Sequence, residues 1–115
     1  MLIKESNVTI NVKDLDKSVS FYQSIGFTIK NRWGEHYAQL VAPGIVIGLH
    51  PSQELSQTKS PGHISIGFTT NKFDNAKVLL NKLAIEFITR DEEGGQFLHF
   101  SDPDGTPLYF IKPKW

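Results

Sequence analysis

Four histidines, His36, His50, His63 and His99, carry the most versatile chemistry in this 115-residue chain. An imidazole can exchange a proton near neutral pH or hold a metal ion. No two of them stand at the close spacing that anchors a helical metal pair, and with no cysteine in the chain thiolate zinc sites, disulfides and a thiol nucleophile are all excluded. His63 is the best placed, because it begins an alternating run, His63-Ile-Ser-Ile-Gly-Phe68, with Ser65 on its own parity. A strand-end histidine bonded only to backbone is the plainer reading of the same residue. A displaced metal site from His50, His63 and His99 can be drawn, with His36 in reserve, but nothing in the spacing requires it.

Tyr109 alternates with Leu108 and Phe110 and falls on the parity away from them. Its phenol could donate to a ligand carbonyl, or the ring could fill the space that Gly48 leaves. Trp33, Tyr37 and Phe97 could stack on a planar ligand, although aromatic residues also serve simply as core. Asp102-Pro-Asp-Gly105 invites an acid–base role, yet it is also the composition of a tight turn, and we take it as structural. Gly94-Gly95 lacks the strand-to-helix setting of a phosphate loop, Glu92 and Glu93 read as a solvated hairpin tip, and no serine sits in a Gly-x-Ser-x-Gly elbow.

Two alternating stretches must position these groups. Asn7-Val-Thr-Ile-Asn-Val12 and His63 to Phe68 each place β-branched or aromatic residues on one parity and short neutral polar ones on the other. That is the pattern of a half-buried strand whose second face is sheltered rather than open to water. Asp14 stands as the N-cap of a helix running to about Ile25, with Leu15, Val19, Tyr22 and Ile25 as its apolar stripe and Gly26 at its end. Strands follow at 27–30, 36–42 and 45–50, with turns at Trp33-Gly34-Glu35 and Pro43-Gly44. After a linker at 51–61 the plan repeats: strand 63–68, a helix from Asn71 or Lys72 to Leu83 with Phe73, Ala76, Leu80 and Leu83 on one face, then strands 85–89, 96–100 and 107–111. The repeat spacing is about 56 residues at first and slightly longer later.

The expected fold class is therefore α+β, two βαβββ modules (1–50 and 62–115) in one domain, forming a cup-shaped mixed sheet with helices outside. A formal net charge of zero, with the Lys112–Lys114 cluster too short to track phosphates, argues against nucleic acid and anionic membranes. The first residues, Met1 to Glu5, lack a signal-peptide pattern and the longest apolar run is far below a membrane span, so a cytoplasmic protein is expected.

Val12-Lys-Asp-Leu-Asp-Lys-Ser18 followed by Phe21-Tyr22 and Gly26-Phe27, Gly62-His63-Ile-Ser-Ile66, and Asp102-Pro-Asp-Gly105 together resemble the vicinal-oxygen-chelate superfamily. It includes glyoxalase I, bleomycin-resistance proteins, fosfomycin-resistance enzymes and extradiol dioxygenases. The resemblance spans nearly the whole chain and implies the cup fold and a homodimer. Carried over residue by residue, the metal-ligand positions of the metal-dependent members hold Asn7, Gly48, His63 and Tyr109. Only His63 is a usual ligand, whereas catalytic metal sites commonly use three protein ligands. The expectation is a small-molecule binding protein without metal or cofactor, sequestering a toxic or antibiotic-like compound. Its ligand residues would be Asn7, Thr9, Gln39, His63, Ser65, His99 and Tyr109, with Trp33, Tyr37 and Phe97 as stacking surface. The alternatives are a metal-dependent lyase or dioxygenase using the displaced histidines, and a partner-binding module with an empty cup. For bleomycin itself, a neutral chain is a poor electrostatic match to a cationic drug.

Overall fold

A computed structural model describes residues 6–51, 64–92 and 94–113. The expected linker beyond Pro51, the residue His63, the hairpin residue Glu93 and both chain ends lie outside the described residues. The chain divides into two compact units, Met1–Lys59 and Ser60–Trp115, each built as βαβββ.

In the first unit, β1 (Val8–Val12) leads into α1 (Leu15–Ser24), followed by β2 (Thr28–Trp33), β3 (Tyr37–Ala42) and β4 (Ile45–Pro51). The Asp14 side chain accepts from the Lys17 amide at 3.1 Å and starts the helix. Leu15, Val19 and Tyr22 are buried as the stripe requires, against Ile10, Val12, Leu40, Ile47 and Leu49 of the sheet. The helix ends in a Schellman arrangement: the Phe27 amide bonds the Tyr22 carbonyl at 2.9 Å and Gly26 lies at φ +122°. That bond takes Phe27 out of the strand expected at 27–30. β2 instead starts at Thr28 and continues through Trp33, a residue expected in the turn.

Strand order in this sheet is β1-β4-β3-β2, with β1 parallel to β4 and the other pairs antiparallel. One face carries the core and packs on α1. The other carries Thr9, Gly48 and Gln39 in a single cross-strand row.

The second unit repeats the plan with β5 (Ile66–Thr69), α2 (Phe73–Lys82), β6 (Ile88–Glu92), β7 (Gly95–Ser101) and β8 (Pro107–Pro113), in sheet order β5-β8-β7-β6. Phe73, Ala76 and Leu80 of α2 are buried together with Ile66, Leu98, Phe100 and Leu108. β5 begins at Ile66, later than the strand expected from 63: Ile64 is 47% exposed and Ser65 is outside regular structure. The helices accordingly start 58 residues apart (73 − 15), as do β1 and β5 (66 − 8), rather than 56. Helix α2 also ends in a Schellman arrangement, Ile85 amide to Leu80 carbonyl at 2.9 Å, with Ala84 at φ +58° where α1 has Gly26. The strand expected at 85–89 therefore begins only at Ile88. Asp102 is buried in the turn before β8, where it accepts from the amides of Asp104 (2.8 Å) and Thr106 (2.9 Å), so its structural assignment stands.

Candidate ligand-binding faces

The sequence-derived candidates fall into two sets, each on the helix-free face of one sheet. In the first unit, β3 and β4 pair so that Gln39 opposes Gly48, and Thr9 of β1 opposes Gly48 from the other side. Tyr37 is two residues from Gln39 on the same face, and its phenol leans across the row onto Gly48. A Cβ at Gly48 would stand 2.0 Å from the Tyr37 Oη. The hydroxyl lies 3.5 Å from both Thr9 Oγ1 and Gln39 Nε2, at the long limit for hydrogen bonds. Trp33, opposite Tyr37 on β2, holds its ring 5.5 Å from the tyrosine ring and is 51% exposed. Asn7 is exposed just ahead of β1.

In the second unit, Gly67, Tyr109, His99 and Ile88 form one row across β5, β8, β7 and β6. Tyr109 covers Gly67 closely, its ring 2.2 Å from where a Cβ would be. Phe97 and His99 are stacked at 5.4 Å with planes 7° apart, and Tyr109 lies 5.7 Å from the former and 5.8 Å from the latter. Leu108 is buried on the helix face, as its alternation with Tyr109 requires. Ser65 is exposed and lies outside the strand.

The structure thus joins Thr9, Trp33, Tyr37 and Gln39 on one face, and Phe97, His99 and Tyr109 on another. Two details differ from the sequence reading. Within the first unit it is Tyr37, rather than Tyr109, that fills the space above Gly48, and Tyr109 covers Gly67. Gly67 was not singled out, though a glycine in the middle of an apolar strand run is a signal for close approach of another group.

Of the positions carried over as metal ligands, the described three offer a carboxamide (Asn7), no side chain (Gly48, beneath a phenol) and a phenol packed on glycine (Tyr109). None of these three is an imidazole, thiolate or carboxylate, the side chains from which catalytic zinc and related transition-metal sites are commonly built. Among the described residues no group of three or more His, Cys, Asp or Glu side chains could hold one. His36 and His50 are exposed. No helix among the described residues is long and apolar enough to cross a membrane.

Several solved structures share the fold. The fosfomycin resistance protein FosX of Listeria monocytogenes superposes with a TM-score of 0.81 at 21% identity, covering 99% of this chain and 96% of that one. A single-residue mutant of it is complexed with Mn(II) and 1S,2S-dihydroxypropylphosphonic acid. A bleomycin-binding protein complexed with bleomycin gives 0.73 at 17% identity, over 97% of this chain and 100% of that one. In sequence, the metallothiol transferase FosB of Lysinibacillus sphaericus is 25% identical over 111 residues, 91% of this chain and 79% of that protein. An uncharacterised Mycolicibacterium smegmatis protein is 31% identical over 74 residues, 60% of this chain, and the match spans only 57% of that relative. The family model matches residues 6–110, and the chain belongs to the glyoxalase/bleomycin resistance protein/dioxygenase superfamily.

Proposed function

We propose that this chain is a small-molecule binding protein that takes its ligand on the helix-free faces of its two sheets without a bound metal, sequestering a toxic or antibiotic-like compound. The observation that carries this reading is the ring cluster of Phe97, His99 and Tyr109, mutually within 5.8 Å and none of them fully buried. Three neighbouring rings on one sheet face offer a planar ligand stacking contact, with the imidazole and phenol as hydrogen-bonding edges. Thr9, Tyr37 and Gln39 supply donors and acceptors on the other face beside Trp33, with Asn7, Ser65 and His63 as further polar contacts. Relatives that bind bleomycin or a phosphonic acid support the ligand class. Sequestration needs affinity and no activated water, so poor metal donors do not count against it.

A cytoplasmic homodimer is part of the proposal. Strands β1 and β5 are sheet edges carrying neutral residues with no lysine or proline to discourage pairing, which suits an edge that another strand covers. Sedimentation equilibrium yielding twice the 13.0 kDa chain mass would agree.

The deciding experiment is equilibrium dialysis of chelator-treated protein against bleomycin, dihydroxypropylphosphonic acid and a panel of planar aromatic compounds. Saturable binding of one of them, weakened roughly tenfold by His99→Ala or Tyr109→Ala in a still-folded protein, is expected. Absence of saturable binding across the panel overturns the reading.

A further inference from the structure

Gly67 is a glycine that the backbone does not call for. It lies within the four-residue strand β5 and is not among the positive-φ residues, so any L residue could adopt its conformation. The matching position of the first unit, 58 residues earlier (67 − 9), is Thr9, which carries a side chain. A bare position inside a strand gives up packing and costs backbone entropy. What it admits here is Tyr109, because a Cβ at position 67 would overlap Cζ, Cε2 and Oη of that ring.

Tyr109 therefore lies down across β5, its hydroxyl end on Gly67. Phe97 and His99, parallel to each other within 7°, are tilted to it by 52° and 45°. The three rings make a corner, with Tyr109 as its floor and the Phe97–His99 pair as its wall. Among the described residues no hydrogen bond ties the Tyr109 hydroxyl, whereas that of Tyr37 in the first unit lies 3.5 Å from Thr9 and Gln39. Packing against Gly67 is what sets where the phenol end of Tyr109 lies. We propose that Gly67 is the positioning residue of this face: it keeps Tyr109 down so that a flat aromatic ring of the ligand lies on the phenol and meets the wall with a hydrogen-bonding edge. Offset stacking on the floor and an edge contact at the wall are the favoured arrangements of such rings, and the phenol and imidazole supply the polar partners. A side chain at position 67 would lift the phenol into the space the ligand takes. This inference rests on the proposed function and deepens it, by assigning the planar part of the ligand to Tyr109 and the admission of that part to Gly67.

The test uses 1-naphthol and quinoline, planar bicyclic compounds with one polar atom each, titrated into the whole chelator-treated chain and followed in 1H–15N and 1H–13C spectra. In the free protein the Gly67 α protons should stand upfield of ordinary strand glycines, beneath the Tyr109 ring, and Tyr109→Leu should remove that displacement. Both compounds should shift the Tyr109 and His99 ring signals saturably. Gly67→Ala moves only the free end of one side chain, so it should keep a folded spectrum and weaken binding roughly tenfold or more. Added to Tyr109→Ala it should cost nothing further, because the ring it displaces is gone. Gly67 α protons at ordinary positions, wild-type binding in Gly67→Ala, or a fully additive loss in the double variant overturns the role of Gly67. Binding that Tyr109→Ala removes and Gly67→Ala keeps would overturn that role and leave the proposed function standing. Absence of any saturable shift also overturns the inference, and the dialysis panel then decides the proposed function separately.

Discussion

The Tyr37 phenol sits where a side chain at position 48 would be: a Cβ built on Gly48 meets the Oη at 2.0 Å and the ring carbon bearing it at 2.7 Å. Glycine here is required by packing rather than by backbone angle, since Gly48 is not among the positive-φ residues. Gly48→Ala must therefore displace the phenol from Thr9 and Gln39. The atoms in the way are the free end of a half-buried side chain that can swing aside, so we expect a loss of at most about 1 kcal/mol by urea denaturation, at the low end for overpacked sites. Tyr37→Ala together with Gly48→Ala should cost clearly less than the two single changes summed, because removing the ring removes the clash. Strict additivity in that double-mutant cycle would show that Tyr37 does not occupy the space above Gly48.

The two helix ends give a stabilising change. The residue after the helix cap is Gly26 at φ +122° in the first unit and Ala84 at φ +58° in the second. A Cβ in the left-handed region is strained, and glycine is the usual solution at this position of a Schellman end. Ala84→Gly should raise stability by roughly 0.5–1 kcal/mol, the relief of strain exceeding the added entropy of the unfolded chain. A fall in the urea midpoint would mean that the Ala84 methyl contributes packing that outweighs its strain.

These ends also mark how far the sequence could be read. The apolar spacing of Leu15, Val19 and Tyr22, and of Phe73, Ala76 and Leu80, locates both buried helix faces, because a helical stripe is a property of one segment. Phe27 and Ile85 read as strand residues by composition, yet their amides close the helices, a choice set by hydrogen bonding across several residues. The ring cluster on the second sheet was half legible: alternation put Tyr109 opposite Leu108 and Phe110, but its partner Gly67 depends on the β5–β8 register. The register shift in β2 between Ile29 and Asn31, which leaves Lys30 as an extra residue, was illegible, because a bulge arises only when two strands are paired.

Asp102 lies at 5% exposure, and its carboxylate receives the amides of Asp104 and Thr106. The turn feeds β8, which holds Tyr109. Asp102→Ala leaves those amides without this acceptor and should cost about 1–3 kcal/mol in urea denaturation. Asp102→Asn keeps an acceptor oxygen and should cost less. Equal losses in the two variants would mean that the charge, rather than the acceptor, holds the turn.

Removal of metal separates the proposed reading from a chelate-type enzyme. Asn7, Gly48 and Tyr109 supply no imidazole, thiolate or carboxylate, and a metal ion bound only to the native state would raise its melting temperature in proportion to the logarithm of its concentration. Protein purified without an affinity tag and dialysed against EDTA should melt at the same temperature as untreated protein, and added nickel, zinc, manganese or iron(II) should leave the midpoint in place. Mass spectrometry of the untreated protein should find less than stoichiometric metal. A metal-specific rise that His63→Ala or His99→Ala abolishes would place a histidine-based ion in the chain, and ligand binding would then have to be reinterpreted as coordination to it. An unchanged midpoint, with saturable ligand binding in the EDTA-treated protein, would leave the polar and aromatic side chains as the source of affinity.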